Sequence, residues 1–471
     1  MRRLRIQQWS LGRVVRAMEG RLLSPTVESG MPRGVSTDTR KLGEGDLFFA
    51  LRGENFDGHE FVDAAVERGA CAVVVEDRSA LGSSKATAIV VDDCYRALSR
   101  LGHAVYRAAR QDGTEAIALT GSNGKTTTKE ILSALWSGRG TVWATQGNLN
   151  NHIGVPLTLC AIPAECDRLI VELGANHRGE IENLIGLVPA EQRIVTSIGR
   201  AHLEGFGSMA GVRKAKGEIF TGSSRATTAI VPLDEVDALI PRDFPGNVIT
   251  FGGDNEADIQ ILSTFPADGD EWSVGMGVRL DVAGQRVVLA LPLVGAHNAT
   301  NLAAAVATFV GGSKPVDADG FNDLLATLDL PGGRFRVLQI GGLRVMDDAY
   351  NANPSSMRAS FRAFEQWADG DDGKSLAIIG DMHELGEVAD REHRELASWL
   401  AQQTGLSALA FVGEYASLMS RAAEGGGVSE VVAFEDHDSV AQWLREHERA
   451  QVFLKGSRAN RLEKIIEKLK S

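Results

Sequence analysis

The sequence predicts an α/β protein of three domains with a phosphate-binding loop in the middle one, and three observations carry that prediction. At 471 residues the chain has the length of three domains of the usual ~150, each large enough to bury its own core. Short apolar runs alternate with amphipathic stretches from end to end, as layered strands and helices require. The stretch 120–129, TGSNGKTTTK, stands between the apolar run Ile117, Ala118, Leu119 and a helix-like run containing Ile131, Leu132 and Leu135.

Composition narrows the function. There are 49 Lys and Arg against 62 Asp and Glu, a formal charge of −13, which repels phosphate backbones and anionic membranes. No nucleic-acid partner is therefore expected, and a phosphate ligand should be small and neutralised by Mg²⁺. The four cysteines, Cys71, Cys94, Cys160 and Cys166, show no C-x-x-C spacing, which fits buried thiols in a reducing compartment. The opening MRRLRIQQWSLGRVVRAMEG is basic but lacks an apolar segment of signal-peptide length, and no run of ~18 apolar residues follows anywhere. A cytoplasmic, soluble protein without membrane insertion is the expectation.

In the first part, 1–112, a turn-rich segment at 34–51 ends in a strand. A helix-like stretch at 58–68 leads to apolar runs at 70–76 and 88–91. Ser36, Thr37, Asp38 and Arg40 crowd into one turn; they suit a ligand's base or phosphate, and equally the hydrogen bonding of the turn itself. A helix is predicted at 98–109. Gln111-Asp112-Gly113 then breaks the pattern ahead of the second part, 113–312.

The loop opens that second part. Gly121 and Gly124 let the backbone turn so that its N–H groups surround phosphate oxygens; Lys125 adds a point charge and the Thr126 hydroxyl suits Mg²⁺. Ser122, Asn123 and Thr127 complete the nucleotide-facing set. Leu119 occupies the place of the first glycine in G-x-x-x-x-G-K-[ST], so this is a shortened variant. Strands are predicted at 142–144, 168–171, 193–197, 228–231 and 248–251, a parallel core whose functional residues should lie at strand carboxyl ends. Glu172 sits at such an end and can hold the Mg²⁺ that Thr126 also touches, or else cap the next helix. His202 follows another strand, and Lys216 lies on a helix carrying Met209, Val212 and Ile219. Asn148 and Asn151, in GNLNNHIGVP, offer amide donors to a phosphoryl or carbonyl oxygen, or simply shape the loop. Asn298, at the start of an alanine-rich helix after the strand 286–291, reads as an adenine contact or a cap.

The third part, 313–471, repeats the alternation, with strands predicted at 344–346, 375–379, 408–412, 431–434 and 452–454. The first runs into DDAYNANPSSM, leaving Asp347 and Asp348 at a strand end without a glycine-rich pyrophosphate loop. Later strand ends carry GDMHELG and KGSRANR, where Lys455 and Arg458 suit a substrate carboxylate or solvent.

Taken in order, TGSNGKTTTK, GNLNNHIGVP, VELGANHRGEI, AHLEGFGSMAGVRKAKGEIF, GAHNATNLAAA and DDAYNANPSSM resemble the Mur ligases, and the resemblance spans all three parts. It implies an N-terminal α/β domain for a UDP-muramoyl peptide, a central ATPase domain and a Rossmann-like C-terminal domain. DDAYNANP, GDMHELG, KGSR and GDLFFALRGENFDGHEF are most like the members that join D-alanyl-D-alanine to UDP-N-acetylmuramoyl tripeptide through an acyl phosphate, in peptidoglycan precursor synthesis. By the same resemblance His202 would serve a second Mg²⁺ and Lys216 would be carbamylated (N6-carboxylated), turning a cation into an anionic oxygen ligand. Asn298 would contact adenine, Arg334 the ATP phosphates and Asp347 the ribose, with Tyr350 nearby. The turn of Ser36, Thr37 and Arg40, with Asn148, Asn151, Lys455 and Arg458, would meet the other substrates, in a chain acting as a monomer. Two departures stand out: AIVPLDEV replaces the family's asparagine-aspartate strand ending, and His383 replaces a leucine in GDMLELG. A folylpolyglutamate synthase and an ATP-driven switch without an amine acceptor are the rival readings.

Overall fold

The computed structural model describes residues 3–23, 31–81, 86–267, 275–368 and 373–470. Three sheets follow one another along the chain.

The first holds β1 (Arg21–Leu22), β2 (Val35–Ser36), β3 (Leu47–Phe49), β4 (Ala72–Val75) and β5 (Ala88–Val90) in the order β1-β5-β4-β3-β2, parallel except for β1. Because side chains alternate across a strand, Phe49, Val74 and Ile89 enter one core while Phe48, Val73 and Ala88 enter another on the opposite face. The helix Cys94–Gln111 buries Ala97, Leu98, Leu101, Val105 and Ala109 at helical spacing and packs on the helix Gly154–Cys160 of the central layer.

The central sheet comprises β6 (Glu115–Thr120), β7 (Val142–Ala144), β8 (Arg168–Glu172), β9 (Gln192–Val195), β10 (Thr228–Pro232), β11 (Asn247–Gly252), β12 (Ile259–Pro266), β13 (Met276–Val282) and β14 (Gln285–Leu291). Their order is β14-β13-β12-β11-β10-β9-β6-β8-β7. From β7 to β12 neighbours are parallel, as expected of the strands that carry the loop; β13 and β14 add an antiparallel edge that the purely parallel expectation lacks. The reason is visible in β14, whose burial alternates from Arg286 to Leu291: one face meets the core and the other meets water. Strand order reverses at β6, which pairs with β8 on one side and β9 on the other. The crevice beyond these three carboxyl ends is where such sheets bind ligands.

The third sheet contains β15 (Arg336–Ile340), β16 (Leu343–Asp347), β17 (Lys374–Ile379), β18 (Ala408–Val412), β19 (Glu430–Phe434) and β20 (Ala450–Lys455), ordered β15-β16-β20-β17-β18-β19. All pairs are parallel except β15 with β16. Its own reversal brings the ends of β16, β20 and β17 together, and so DDAYNANP, KGSR and GDMHELG. The fold is therefore the three-domain α/β architecture expected, with mixed sheets. Among the described residues no helix is long and apolar enough to cross a membrane.

Candidate active site

The phosphate loop links β6 to the helix Lys125–Ser137. Gly124 holds φ 79°, and a Cβ there would collide with Asn301 Oδ1; at Gly121 it would collide with Thr196 Oγ1. Only glycine fits either place. Lys125 Nζ donates to Gly121 O at 2.7 Å, curling the side chain over its own loop. Packed protein around it pushes its pKa down, a shift opposed by the Glu172 carboxylate.

Glu172, the last residue of β8, is buried and receives one hydrogen bond on each oxygen: Thr126 Oγ1 donates at 2.9 Å and Asn150 Nδ2 at 2.8 Å. Thr126 Oγ1 in turn accepts from Arg334 Nη2 at 3.2 Å, and the Arg334 guanidinium lies 3.6 Å above the Tyr350 ring. A second strut across the two sheets runs from Asn353 Nδ2 to Asn123 Oδ1 at 2.7 Å.

These groups open on one cavity of about 810 Å³, within the range of small-ligand sites. Its wall includes Ser122 to Thr127, Asn148, Asn151, Glu172, His202, Asn298, Arg334, Tyr350 and Lys455, so most of the residues singled out from the sequence meet there. Asn298 is buried, its Nδ2 bonded to Val294 O and its Oδ1 to Asn301 Nδ2. Asn151 Oδ1 accepts from the N–H groups of Ile153 and Gly154, so it also caps the helix Gly154–Cys160. Lys455 is buried against Asp348 at 2.6 Å, and Ser360 Oγ donates to the same carboxylate.

Others lie off the wall. Gly121 sits behind it as an acceptor for Lys125. Lys216 is buried, its Nζ has no hydrogen-bond partner, and it lies 5.2 Å from the centroid of the Phe206 ring; burial first, then the Lys125 charge, push its pKa down to about 7. Its helix, Met209–Gly217, is tied by Arg213 to Glu235 through two bonds of 2.7 and 2.9 Å. Glu235 belongs to the unusual AIVPLDEV, which thereby gains a structural task.

Asp347 ends β16 with its carboxylate on Ala349 N and its pKa raised by burial to about 6, while the wall carries its neighbour Asp348. Arg458 is exposed and paired with Glu463. Ser36 and Arg40 are engaged with Asp38: Ser36 Oγ donates to Asp38 O, and Arg40 donates to the Asp38 carboxylate from N, Nε and Nη2. Thr37 shares that turn. None of the three lines the cavity.

Asn150, Asn301, Asn353, Asp348 and Glu384 were not singled out from the sequence as site residues. Each adjoins or lies inside a motif that was, yet the partner that reveals it is remote in sequence. Glu384 Oε2 stands 2.5 Å from His202 Nδ1, and that contact holds its pKa below the usual carboxylate value. His383, the departure in GDMHELG, points to solvent. His297 lines the cavity with an unpartnered Nε2, and burial pushes its pKa down to about 4, leaving a neutral ring beside Phe335.

Among the described residues no three His, Cys, Asp or Glu side chains converge as a metal cage. Mg²⁺ asks for less: one or two protein oxygens, substrate phosphates and water. Thr126 with Glu172 meets that requirement, and the orphaned Lys216 amine fits conversion to an oxygen ligand.

Three family profiles match the chain in succession: the Mur ligase family catalytic domain at 32–118, the Mur ligase middle domain at 119–309, and the Mur ligase glutamate ligase domain at 333–458. The UDP-N-acetylmuramoyl-tripeptide--D-alanyl-D-alanine ligase of Escherichia coli (strain K12) is 35% identical over 446 residues, 92% of this chain and 93% of that one. A crystal structure of MurF from Acinetobacter baumannii is 30% identical with a TM-score of 0.85, covering 98% of this chain and 99% of that one. MurF of Thermotoga maritima, solved in complex with ADP, is 26% identical with a TM-score of 0.79, covering 93% and 97%.

Proposed function

The chain belongs to the Mur ligase family, and from that premise we infer that it is the ATP-dependent ligase that adds D-alanyl-D-alanine to UDP-N-acetylmuramoyl tripeptide. ATP transfers its γ-phosphoryl group to the terminal carboxylate of the tripeptide, leaving ADP. The amine of the dipeptide attacks the acyl phosphate, loses a proton, and the tetrahedral adduct expels phosphate to leave the amide. The product, UDP-N-acetylmuramoyl pentapeptide, is a peptidoglycan precursor made in the cytoplasm.

The observation that carries this reading is the junctional site, where Arg334 of the third domain donates to Thr126 of the phosphate loop, which donates to Glu172. An anionic acid and a triphosphate repel each other, so a ligase must place fixed positive charge between them and hold the acceptor in line. Lys125 and Arg334 would do so, and the loop amides would cradle the phosphates. Thr126 and Glu172 would hold one Mg²⁺, and His202 with carbamylated Lys216 a second. When bound, these ions neutralise the phosphate oxygens on which charge develops.

Asn298, Asn301 and neutral His297 would receive adenine, and Tyr350 keeps the Arg334 fork flat and aimed. Asp348, rather than Asp347, is the carboxylate we assign toward the ribose, because it faces the cavity. Asn148, Asn151 and Lys455 would meet the peptide substrates. The turn of Ser36, Thr37 and Arg40 is assigned to the UDP end, with Arg458 at the outer rim.

The deciding assay measures ADP release with UDP-N-acetylmuramoyl tripeptides ending in diaminopimelate or lysine, with and without D-alanyl-D-alanine. Release that needs both tripeptide and dipeptide, with pentapeptide formed in equal amount, is the expected result. ATP hydrolysis indifferent to both would refute the ligase reading.

A further inference from the structure

Seven non-glycine residues among those described hold a left-handed backbone, and two of them touch: His202 at φ 52° and Glu384 at φ 61°. A side chain with a Cβ persists in that conformation only where its surroundings over-determine it, and such residues cluster at sites and switches. His202 follows β9 in the central sheet and Glu384 follows β17 in the third, so the contact joins two domains beside the cavity that His202 lines.

The stretch around His202 is held to the third domain at further points. Arg200 Nη1 donates to Glu392 Oε1 at 2.8 Å, Arg200 N donates to Ser355 Oγ at 3.2 Å, and Glu204 N donates to Glu384 O at 3.4 Å. Glu392 is buried and its other oxygen has no donor, so Arg200 is its principal charge partner, with Arg391 more distant at 3.4 Å. His202 lines the cavity shared with Thr126 and Glu172, while its buried Nδ1 lies 2.5 Å from Glu384 Oε2, a close ion-pair contact without hydrogen-bond alignment that a small ring rotation would bring into line. An imidazole that binds a metal through one nitrogen commonly donates its other N–H to a carboxylate, which fixes tautomer and orientation and raises ligand basicity.

We propose that Glu384 is the positioning residue for His202, delivered by docking of the C-terminal domain, so that docking and divalent-cation loading at His202 are coupled. This rests on the assignment of His202 to a cation made above. By linkage the coupling is reciprocal: whatever loosens the docked domain weakens the cation, and the cation tightens the docking.

The test is Mn²⁺ binding to the full-length protein in the presence of ADP, followed by electron paramagnetic resonance, with thermal midpoint and ADP affinity measured alongside. Glu384→Gln should weaken one Mn²⁺ about 10–100-fold, the usual cost of losing a ligand's carboxylate support, with ADP affinity and thermal midpoint unchanged. Arg200→Met, which leaves both His202 and Glu384 in place, should weaken the same ion in the same direction by a smaller factor. Small-angle scattering should show Mn²⁺ with ADP compacting the wild type but not Glu384→Gln. If His202→Asn loses the ion while Glu384→Gln keeps wild-type affinity, the positioning role is overturned and the cation assignment stands. If His202→Asn binds Mn²⁺ as the wild type does, the cation assignment falls and this inference with it.

Discussion

Replacing Lys216 by alanine probes the side chain whose chemistry is most altered by the fold. The residue is 1% exposed, its amine is without a hydrogen-bond partner, and its pKa lies at about 7 where an ordinary lysine has 10.5. Only a neutral amine adds CO₂. At pH 7.5 a group of pKa 7 is about three-quarters neutral, whereas a solvated lysine is roughly 0.1% neutral, so the fold raises the reactive form by close to three orders of magnitude. A carbamate there would replace an ammonium that repels cations with an oxygen anion that attracts them. Lys216→Ala should lower kcat by about 10²–10³, the scale for losing one preorganised charge-stabilising group. Acetate or propionate should restore part of the rate by occupying the space the side chain vacates. Wild-type protein equilibrated with ¹³C-bicarbonate should show a carbamate carbon resonance that Lys216→Ala lacks. The same group ties stability to pH: the unfolded chain keeps this proton up to about 10.5 and the folded one releases it near 7. Between those values the unfolded state binds more protons, so the Lys216 contribution makes stability rise with pH, and Lys216→Met should flatten that rise. A full rate in Lys216→Ala, or absence of both rescue and carbamate signal, would refute the reasoning.

Lys125→Ala should abolish turnover while the thermal midpoint stays near wild type, since among the described residues the side chain bonds only to Gly121 O; retained activity would remove the loop from the mechanism. Gly124→Ala should cost about 1–2 kcal/mol from its left-handed backbone alone, with further loss from collision with Asn301, and calorimetry should show weakened ADP binding. The two adjacent aspartates should part company. Asp347 has its folded pKa raised from 3.8 to about 6, so its charge opposes folding once the pH rises through that interval; Asp347→Asn should stabilise the protein above pH 6 by at most ~3 kcal/mol and lose that gain below pH 4. Asp348→Asn removes the partner of buried Lys455 and should destabilise by roughly 3–5 kcal/mol, the cost of stranding one member of a buried pair. Urea denaturation across pH checks both.

How far the site was legible in the sequence depends on the distance between each residue and its partner. The phosphate loop was readable because glycine spacing, Lys125 and Thr126 all lie within one turn. Glu172 was readable because a carboxylate at a strand end next to the loop strand has few other places to go. Asp347 and Asp348 share one motif, yet β16 ends between them and only the second faces the cavity, a matter of strand register. Asn150 is not distinguishable from Asn148 and Asn151 in the sequence, since three asparagines in one loop look alike until Glu172 is placed beside one of them. Glu384 could not be found locally, because its partner belongs to another domain. The antiparallel β13 and β14 escaped for a similar reason: β14 was recognised as a strand, but direction is set by the neighbour it pairs with.

Transfer of phosphate to the substrate's own acid is the step on which every assigned role depends. With UDP-N-acetylmuramoyl tripeptide carrying ¹⁸O in its terminal carboxylate, the released phosphate should contain one ¹⁸O per amide bond formed. Pentapeptide formed alongside unlabelled phosphate would contradict the acyl-phosphate route and the roles given to Lys125, Arg334 and the Thr126–Glu172 pair.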